Sequence, residues 1–351
     1  MNKKNIRNSL IIIFLLIMII SAAGLIFGYN FMYKSNFQTP NNKKTLIFIT
    51  ENDDFFSLLD TLSANGYLKN RKSFENYAKI RNLGKNLKVG CYTIKSGMTN
   101  REFFNMVGSG LQTPVRLKFN NIRFNEQLAS RISKQVNIDS VEMINLLNDN
   151  EFLAKYGFNS QTILAMFIPN TYEVYWTISA EQLFDRMEKE YKKFWNDERI
   201  KKAEAIPLTP IEAAIVASIV EEESNKSHEK PIIAGVYINR LRKGMKLEAD
   251  PTARYAFGDF SITQVLYNHT DINSPYNTYQ NYGLPPGPIR MPSIEGIDAV
   301  LNYAKHNYIF LCAKPELNGK HNFAATLAEH NRNAAAYHQA YREWKRKNSI
   351  K

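Results

Sequence analysis

The chain has 351 residues and a formal net charge of +12 at neutral pH. This length accommodates an anchor plus two folded units or one large unit, and the ordinary hydrophobic content predicts that most of the chain folds. The basic balance suits nucleic acid, an anionic membrane surface or a carboxylate-bearing polymer, and it does not choose among them. The two cysteines, Cys91 and Cys312, do not indicate a disulfide scaffold, and two buried thiols are favoured over one disulfide.

The N-terminus contains a candidate membrane anchor. Three basic residues precede an uncharged apolar run from Leu10 to Tyr29, which as a helix is long enough to cross roughly 30 Å of hydrocarbon. Basic residues before the run favour a cytoplasmic N-terminus and an exported remainder. A cleaved signal peptide is the alternative, but the run is long for one and no clear A-x-A site follows. We expect a cytoplasmic segment, an uncleaved anchor and a linker over residues 1–9, 10–30 and 31–44.

Residues 45–113 predict a small α+β unit. "TLIFIT" (45–50) is typical of a strand, "LKVGCYTIKSG" (87–97) predicts a strand pair, and two short helices are expected between them. Thr99 and Glu102 have the spacing of a capping box for a further helix. Because the unit contains no cluster of catalytic residue types, we expect a spacer or binding module.

From residue 114 to 347 the pattern changes to longer helices separated by aromatic-rich loops. Helices are expected over residues 125–136 and 140–149, followed by a loop, "FIPNTYEVYW" (167–176), and then by a charged helix. The fold class expected for the chain is α+β, with one transmembrane helix, a small α+β module and a larger, mostly helical α+β domain.

Three consecutive glutamates, Glu221, Glu222 and Glu223, end an apolar helical run. Thr209 and Glu212 have capping-box spacing around a proline, which predicts the start of this helix. Its body, "IEAAIVASIV", is apolar on all sides and is therefore expected to be buried. Acidic residues are unusual at a helix C-terminus, where cations are favoured.

Helical spacing distinguishes the three glutamates from one another. Glu223 continues a column formed by Val216 and Ile219, so its carboxyl should lie on apolar surface beside like charges, and both effects raise its pKa. A glutamate with a raised pKa is suited to general acid catalysis near neutral pH. Geometry alone also allows a solvated helix end paired with nearby lysines and arginines, and it leaves Glu222 as a second catalytic candidate.

The segment "SPYNTYQNYGLPPGPIRMPS" (274–293) combines three tyrosines with proline and glycine. Aromatic faces on rigid backbone can stack on sugar rings, while amide and backbone groups hydrogen-bond sugar substituents. A purely structural loop is the alternative. No H-E-x-x-H motif occurs, because Ile232 stands where the second histidine after His228 would be, so we expect no protein-bound metal.

Six stretches, in order, resemble the YceG-like endolytic murein transglycosylase family. The resemblance covers almost the whole chain, and the family's pattern A-S-I-[IV]-E-x-E-[ST] matches residues 217–224. The six stretches are "KVGCYTI", "FIPNTYEVY", "ASIVEEES", "VYINRLRKGMKLEADPTARYAFG", "SPYNTYQNYGLPPGPI" and "HNFAATLAEHN".

The resemblance implies an anchor, a LysM-like module over 45–113 and a catalytic domain over 114–347. It implies that Glu223 is the catalytic acid, that Glu221 matches the family's other glutamate, and that Glu222 fills the variable place without a role of its own. The residues expected to contact substrate are Glu221, Ser224, Asn239, Tyr276, Asn277 and Tyr279.

The activity implied is cleavage of the MurNAc–GlcNAc bond within glycan strands, with formation of 1,6-anhydromuramyl ends and without a cofactor. The implied partners are peptidoglycan, the cytoplasmic membrane and peptidoglycan synthases or divisome proteins, with the catalytic domain outside the cytoplasm. The alternative from another class is a non-catalytic wall-binding or division-scaffold protein. Nucleic acid is not expected as a partner, because the basic residues are dispersed and the domain is exported.

Overall fold

The computed structural model of the chain describes residues 3–82, 87–262, 265 and 267–348. Within these residues the protein is a mostly helical α+β structure with fifteen α-helices and six strands. The helices are α1 (Lys3–Tyr33), α2 (Phe55–Ala64), α3 (Arg71–Arg81), α4 (Asn100–Ser109), α5 (Asn125–Ser133), α6 (Ser140–Asn148), α7 (Asn150–Ala154), α8 (Ala180–Phe194), α9 (Asp197–Ala205), α10 (Pro210–Glu223), α11 (Lys230–Arg242), α12 (Asp250–Phe257), α13 (Tyr267–Thr270), α14 (Ile294–Leu301) and α15 (Leu327–Asn348). The strands are β1 (Thr45–Ile49), β2 (Gly90–Ile94), β3 (Val115–Phe119), β4 (Asn170–Val174), β5 (Phe310–Ala313) and β6 (His321–Ala324).

The apolar run at the N-terminus forms a single helix, as the sequence predicts. Arg7–Tyr33 of α1 has a mean hydropathy of 3.1 and is not buried within the protein. Its length and composition are sufficient for crossing a membrane, although a signal sequence meets the same criteria. The helix therefore suggests membrane anchoring.

The chain divides into two compact units, one formed by residues 1–116 with 173–178 and the other by 117–172 with 179–351. In the first unit β1 and β2 pair antiparallel, with Thr45 opposite Ile94. The strand pair predicted within 87–97 is wrong, since the segment supplies one strand whose partner is the distant β1. A strand with alternating buried residues can pair with any exposed strand edge, so the local sequence pattern does not determine which strand is its partner.

Aromatic packing forms the core of the first unit. Phe74 lies between several rings, with centroid distances of 5.8 Å to Phe37, 5.5 Å to Phe103 and 5.0 Å to Phe104. All four side chains are 4% exposed or less. The predicted capping box at the start of α4 is confirmed, because the side chains of Thr99 and Glu102 bind each other's backbone amides.

The segment 167–176, predicted as a loop, contains the short strand β4, which pairs with β3. The prediction was wrong here because the alternation of exposed and buried residues in Asn170–Val174 is too brief to indicate a strand. The two thiols are free: Cys91 is buried and Cys312 is partly buried.

Helix α10 is the centre of the second unit. Its predicted start is confirmed by a capping box between Thr209 and Glu212 around Pro210, and its residues from Ala213 to Val220 are all buried. Helices α11, α12 and α14 pack around it. A side chain at Gly235 in α11 would lie 2.5 Å from the carbonyl oxygen of Ala304, so glycine permits the close crossing of this segment.

Strands β5 and β6 form an antiparallel pair, with Phe310 opposite Ala324 and Ala313 opposite His321. Helix α15 packs against this pair and has no buried residue. His321, at the start of β6, contacts Glu229 in the segment that follows α10.

Candidate active site

Glu223 is the last residue of α10, directly above the buried Val216 and Ile219 of the same helix. Burial raises the pKa of Glu223 to about 7, the negative charge of Asp250 acts in the same direction, and a hydrogen bond from Tyr237 opposes both. The Tyr237 hydroxyl lies 2.5 Å from Glu223 Oε1. The predicted rise is confirmed, but the like charge responsible is Asp250 and not a neighbouring glutamate of the triplet.

Asp250 is a second carboxyl beside Glu223 that the sequence analysis did not identify. It begins α12, and the hydroxyl of Tyr279 donates a hydrogen bond of 2.5 Å to its Oδ1. Burial raises the pKa of Asp250, although this hydrogen bond and the positive charge of Arg254 lower it. The available signal was the acid in "LEADPTARY", which lies within one of the six stretches that resemble the family.

A buried hydrogen-bonded cluster secures the backbone that follows Glu223. Ser224 is 5% exposed, and its hydroxyl donates to Glu229 Oε2 at 3.1 Å. Glu229 also accepts from the backbone and the ring of His321, at 2.9 and 3.0 Å. Burial opposes ionisation of Glu229, but these hydrogen bonds and the charge of His321 lower its pKa below the usual value. Ser224 thus holds the turn after α10.

The family pattern implied that Glu222 has no role of its own, but in the structure Glu222 pairs with three arginines. Its Oε1 lies 2.5 Å from Arg123 and 2.8 Å from Arg290, and its Oε2 lies 2.9 Å from Arg254. The side chain of Glu222 is 8% exposed, whereas those of the three arginines are 16 to 26% exposed. The prediction was wrong because the three partners come from distant segments that helical spacing within α10 cannot locate.

Glu221 connects α10 to α14. Its Oε2 accepts a hydrogen bond of 2.8 Å from the backbone amide of Ser293, the residue that caps the N-terminus of α14. A carboxylate at this helix N-terminus is favoured by the orientation of the peptide dipoles. The contact gives Glu221 a structural role, and a direct contact with substrate remains a prediction.

The alternative of a solvated helix end paired with cations near in sequence is not what the structure contains, because Glu222 is 8% exposed and its arginine partners come from distant segments. Lys230 pairs with Glu295, and Arg240 pairs with Glu248. The amide of Asn239 donates to the carbonyl oxygens of His306 and Tyr308, which holds the segment that leads into β5.

Three predicted contact residues lie on the tyrosine-rich segment, and the structure distinguishes their environments. Asn277 is fully buried, and its amide donates to the carbonyl oxygens of Thr270 and Ile272, so it holds the loop and does not face solvent. Tyr279 is partly buried and reaches Asp250. Tyr276 is partly buried with its ring 4.7 Å from that of Tyr255.

A cavity of about 210 Å³ lies beside Tyr276. Tyr255 and Phe124 continue its aromatic wall, with stacked rings 5.5 Å apart. The remaining wall is largely polar, and the lining residues are Arg123, Phe124, Asn125, Glu126, Ser160, Gln161, Leu164, Tyr255, Tyr276 and Pro288. Aromatic faces with adjacent amides are suited to a sugar ring and its polar substituents.

Chemically, the site combines a carboxyl that is half protonated near neutral pH with a second carboxyl and two tyrosine hydroxyls. Glu223 can donate a proton and take it back within the physiological range. Among the described residues no group of three or more His, Cys, Asp and Glu is arranged to hold a metal ion. The arrangement therefore supports acid–base chemistry by side chains.

The chain is similar over most of its length to proteins of known name. It is 26% identical, over 93% of its own length, to the endolytic murein transglycosylase of Streptococcus pneumoniae serotype 2 strain D39, and it spans 65% of that protein. It is 28% identical to the endolytic murein transglycosylase of Bacillus subtilis strain 168, over 89% of this chain and 91% of that protein.

A solved structure provides a further comparison. The crystal structure of a YceG-like protein from Listeria monocytogenes superposes with a TM-score of 0.52 at 27% sequence identity, covering 83% of this chain and 99% of that one. The model of the YceG-like family matches residues 47–336. The match begins within β1 and includes the Glu223 site, and the chain therefore belongs to the YceG-like family.

Proposed function

We propose that this protein is an endolytic peptidoglycan lytic transglycosylase. It cleaves the MurNAc–GlcNAc bond within glycan strands and leaves 1,6-anhydromuramyl ends. The observation that carries the proposal is the pKa of Glu223, which burial raises to about 7 at the end of a buried helix. The relatives named endolytic murein transglycosylase support the same reaction.

The reaction requires one group that acts first as acid and then as base. Glu223 protonates the glycosidic oxygen as the bond to the anomeric carbon breaks, and the carboxylate that results then removes the proton from the muramyl 6-hydroxyl. That hydroxyl closes onto the anomeric carbon, so no water is consumed. A hydrolytic glycosidase would use a second carboxylate to activate water or to attack directly, whereas here the substrate supplies the nucleophile.

Tyr237 and Asp250 adjust Glu223 for these two steps. The Tyr237 hydrogen bond stabilises the carboxylate formed after proton donation, and the charge of Asp250 favours return of the proton. Tyr279 fixes the position of Asp250. Tyr276 and Tyr279 offer ring faces for the sugars, whereas Glu221, Ser224, Asn239 and Asn277 support the backbone of the cleft.

The rest of the chain would bring this site to its substrate. We propose that α1 keeps the protein in the cytoplasmic membrane with the catalytic domain outside the cytoplasm, where glycan strands are made. Residues 45–113 would be a LysM-like module that positions glycan, and residues 114–347 would be the catalytic domain. Peptidoglycan synthases or divisome proteins are the protein partners expected at that location, and termination of strand elongation is the expected outcome.

A non-catalytic wall-binding or scaffold protein is the alternative, and the site argues against it. A binding protein has no need of a carboxyl whose pKa is raised to about 7 and which is therefore costly to ionise. The named relatives are also transglycosylases.

Mass spectrometry of purified glycan strands after incubation with the protein tests the proposal. The expected result is internal cleavage with anhydromuramyl ends, and near-complete loss of that product with Glu223→Gln. Gln retains the size of the side chain but cannot donate a proton and take it back. Glu188→Gln, on an exposed face of α8, is the matched control. Products with reducing ends alone, or full activity of folded Glu223→Gln, would contradict the proposal.

A further inference from the structure

The arginines around Glu222 form a positively charged cluster next to the acid site. Arg123, Arg254 and Arg290 surround a single carboxylate, so three positive charges face one negative charge. Arg254 also acts electrostatically on Glu223 and on Asp250, which places it within reach of the reacting groups. A cluster that served only to neutralise Glu222 would need one arginine.

These arginines retain unused hydrogen-bonding capacity. A guanidinium group has five donors. Among the described residues, Arg123 and Arg254 each use one donor on Glu222, and Arg290 uses one on Glu222 and one on Asn121. The buried Nε atoms of Arg254 and Arg290 have no hydrogen-bond partner among these residues. Since all three side chains remain partly exposed, an additional acceptor can approach them from solvent.

The cavity beside Tyr276 and the arginine cluster share Arg123. Its guanidinium group lies over the ring of Phe260 at 4.1 Å, which holds the group at the cavity edge. Glu126 is the acid among the residues that line the cavity, and Asp250 and Glu223 are the acids on the side of Arg254. An anionic group is therefore attracted to the cluster itself and repelled on either side of it.

We propose that Arg123, Arg254 and Arg290 bind a carboxylate of the stem peptide carried by the muramyl residue at the cleavage site. This inference rests on the proposed function. The glycan backbone of peptidoglycan is uncharged where the lactyl groups are amide-linked, so its carboxylates lie on the stem peptides. Arginine forks match carboxylate geometry better than lysine does. The protein accordingly binds strands whose stem peptides carry free carboxylates more tightly than strands whose carboxylates are blocked.

Equilibrium binding of three matched strands tests this selectivity. The strands carry stem peptides with free carboxylates, stem peptides whose carboxylates are amidated, or no peptides and lactyl carboxyl groups blocked as simple amides. Binding is measured with the full-length Glu223→Gln protein in detergent, so no strand is cleaved. We expect affinity for the carboxylate strands to exceed that for the amidated strands by about tenfold, and to fall with added salt. Equal affinity for the carboxylate and amidated strands would overturn the proposal.

Arginine variants then assign the effect. Adding Arg290→Gln, at a residue outside the lining of the cavity beside Tyr276, should abolish the difference between carboxylate and amidated strands while binding of peptide-free strands stays within about twofold. Arg131→Gln, an exposed arginine on α5, is the control and should keep the difference. Equal weakening for all three strands would show that the arginines only support the fold and would contradict the proposal. If Arg290→Gln unfolds, the comparison of the three strands with Glu223→Gln protein that retains all its arginines still decides.

The two proposals fail in different ways. If wild-type protein yields no anhydromuramyl ends while the carboxylate strands still bind more tightly, the proposed reaction is wrong and the anionic subsite stands. If anhydromuramyl ends form and binding does not depend on the carboxylates, the subsite is wrong and the reaction stands.

Discussion

Tyr237 Oη donates a hydrogen bond of 2.5 Å to Glu223 Oε1, from the middle of α11 to the end of α10. Tyr237 is 2% exposed, so this hydroxyl is fixed by the packing of two buried helices. The pair links the fold to the chemistry, because the same burial that anchors the tyrosine also disfavours the charged form of the glutamate. Two opposing effects therefore set the pKa of one carboxyl.

Removing the hydroxyl should change that balance in a definite direction. The Tyr237 hydrogen bond lowers the pKa of Glu223, so Tyr237→Phe should raise it further. The alkaline limb of the activity profile should move to higher pH by about one pH unit. Tyr191→Phe, in the same core but away from Glu223, should leave the profile unchanged. A limb that moves to lower pH would contradict this account.

Glu222→Gln should destabilise the catalytic domain. Gln removes the charge that holds Arg123, Arg254 and Arg290 together and leaves three positive charges close to one another. Because the arginines are partly exposed, we expect a loss of about 2 kcal/mol in the free energy of unfolding. Urea unfolding measures the loss.

A matched variant separates this effect from the loss of an ordinary ion pair. Glu188→Gln breaks an exposed pair with Lys192 on α8 and should cost less than about 0.5 kcal/mol. Equal stability of the two variants would mean that the arginine cluster contributes nothing to the fold.

The sequence was sufficient to predict features that depend on neighbouring residues. The apolar N-terminal helix, the capping boxes at Thr99 and Thr209 and the raised pKa of Glu223 all follow from local spacing and burial of a periodic face. Each needs only that a helix forms and that its apolar side is covered.

Features that depend on distant segments were not predicted. The partner of β2, the three arginines on Glu222 and the approach of Asp250 to Glu223 bring together residues far apart in the chain. A single sequence contains no measure of such distances, and three adjacent glutamates at a helix end are also compatible with a solvated helix end. The strand β4 was missed because five residues give too short a period.

Two substitutions of Tyr279 separate its ring from its hydroxyl. Tyr279→Ala removes a sugar-stacking face and the Asp250 contact together, and should weaken kcat/KM by about 1–3 kcal/mol. Tyr279→Phe keeps the ring and should mainly raise the pKa of Asp250, since the lost hydrogen bond lowers it. Kinetics on soluble strands compare the two. Equal loss in both variants would exclude stacking, and no loss in either would leave the loop with a structural role.

The orientation of the anchor is tested by a reporter fused after Lys351. If α1 crosses the membrane with its basic N-terminus in the cytoplasm, a reporter that is active only outside the cytoplasm should be active. The protein should also remain in the membrane fraction at high salt. The same fusion without residues 1–33 is the control and should be inactive. Activity of a cytoplasm-only reporter at Lys351 would contradict the orientation.

The pH dependence of stability provides a test of Glu223 that needs no substrate. Its pKa is about 7 in the folded protein against 4.5 for the ordinary side chain, so the folded state binds more protons between these values. Stability is therefore fully present below about pH 4.5 and is lost as pH rises through about 7, by up to about 3 kcal/mol.

Glu223→Gln removes this contribution, because Gln does not titrate. The stability of wild type relative to Glu223→Gln should therefore be lowest above pH 7. Between pH 5 and pH 8 the variant should lose less free energy of unfolding than wild type does. Chemical unfolding at several pH values measures both proteins, with Glu188→Gln as a control that should follow wild type. Parallel curves for wild type and Glu223→Gln would mean that Glu223 ionises at its ordinary pKa, and the argument for a general acid at this position would lose its physical basis.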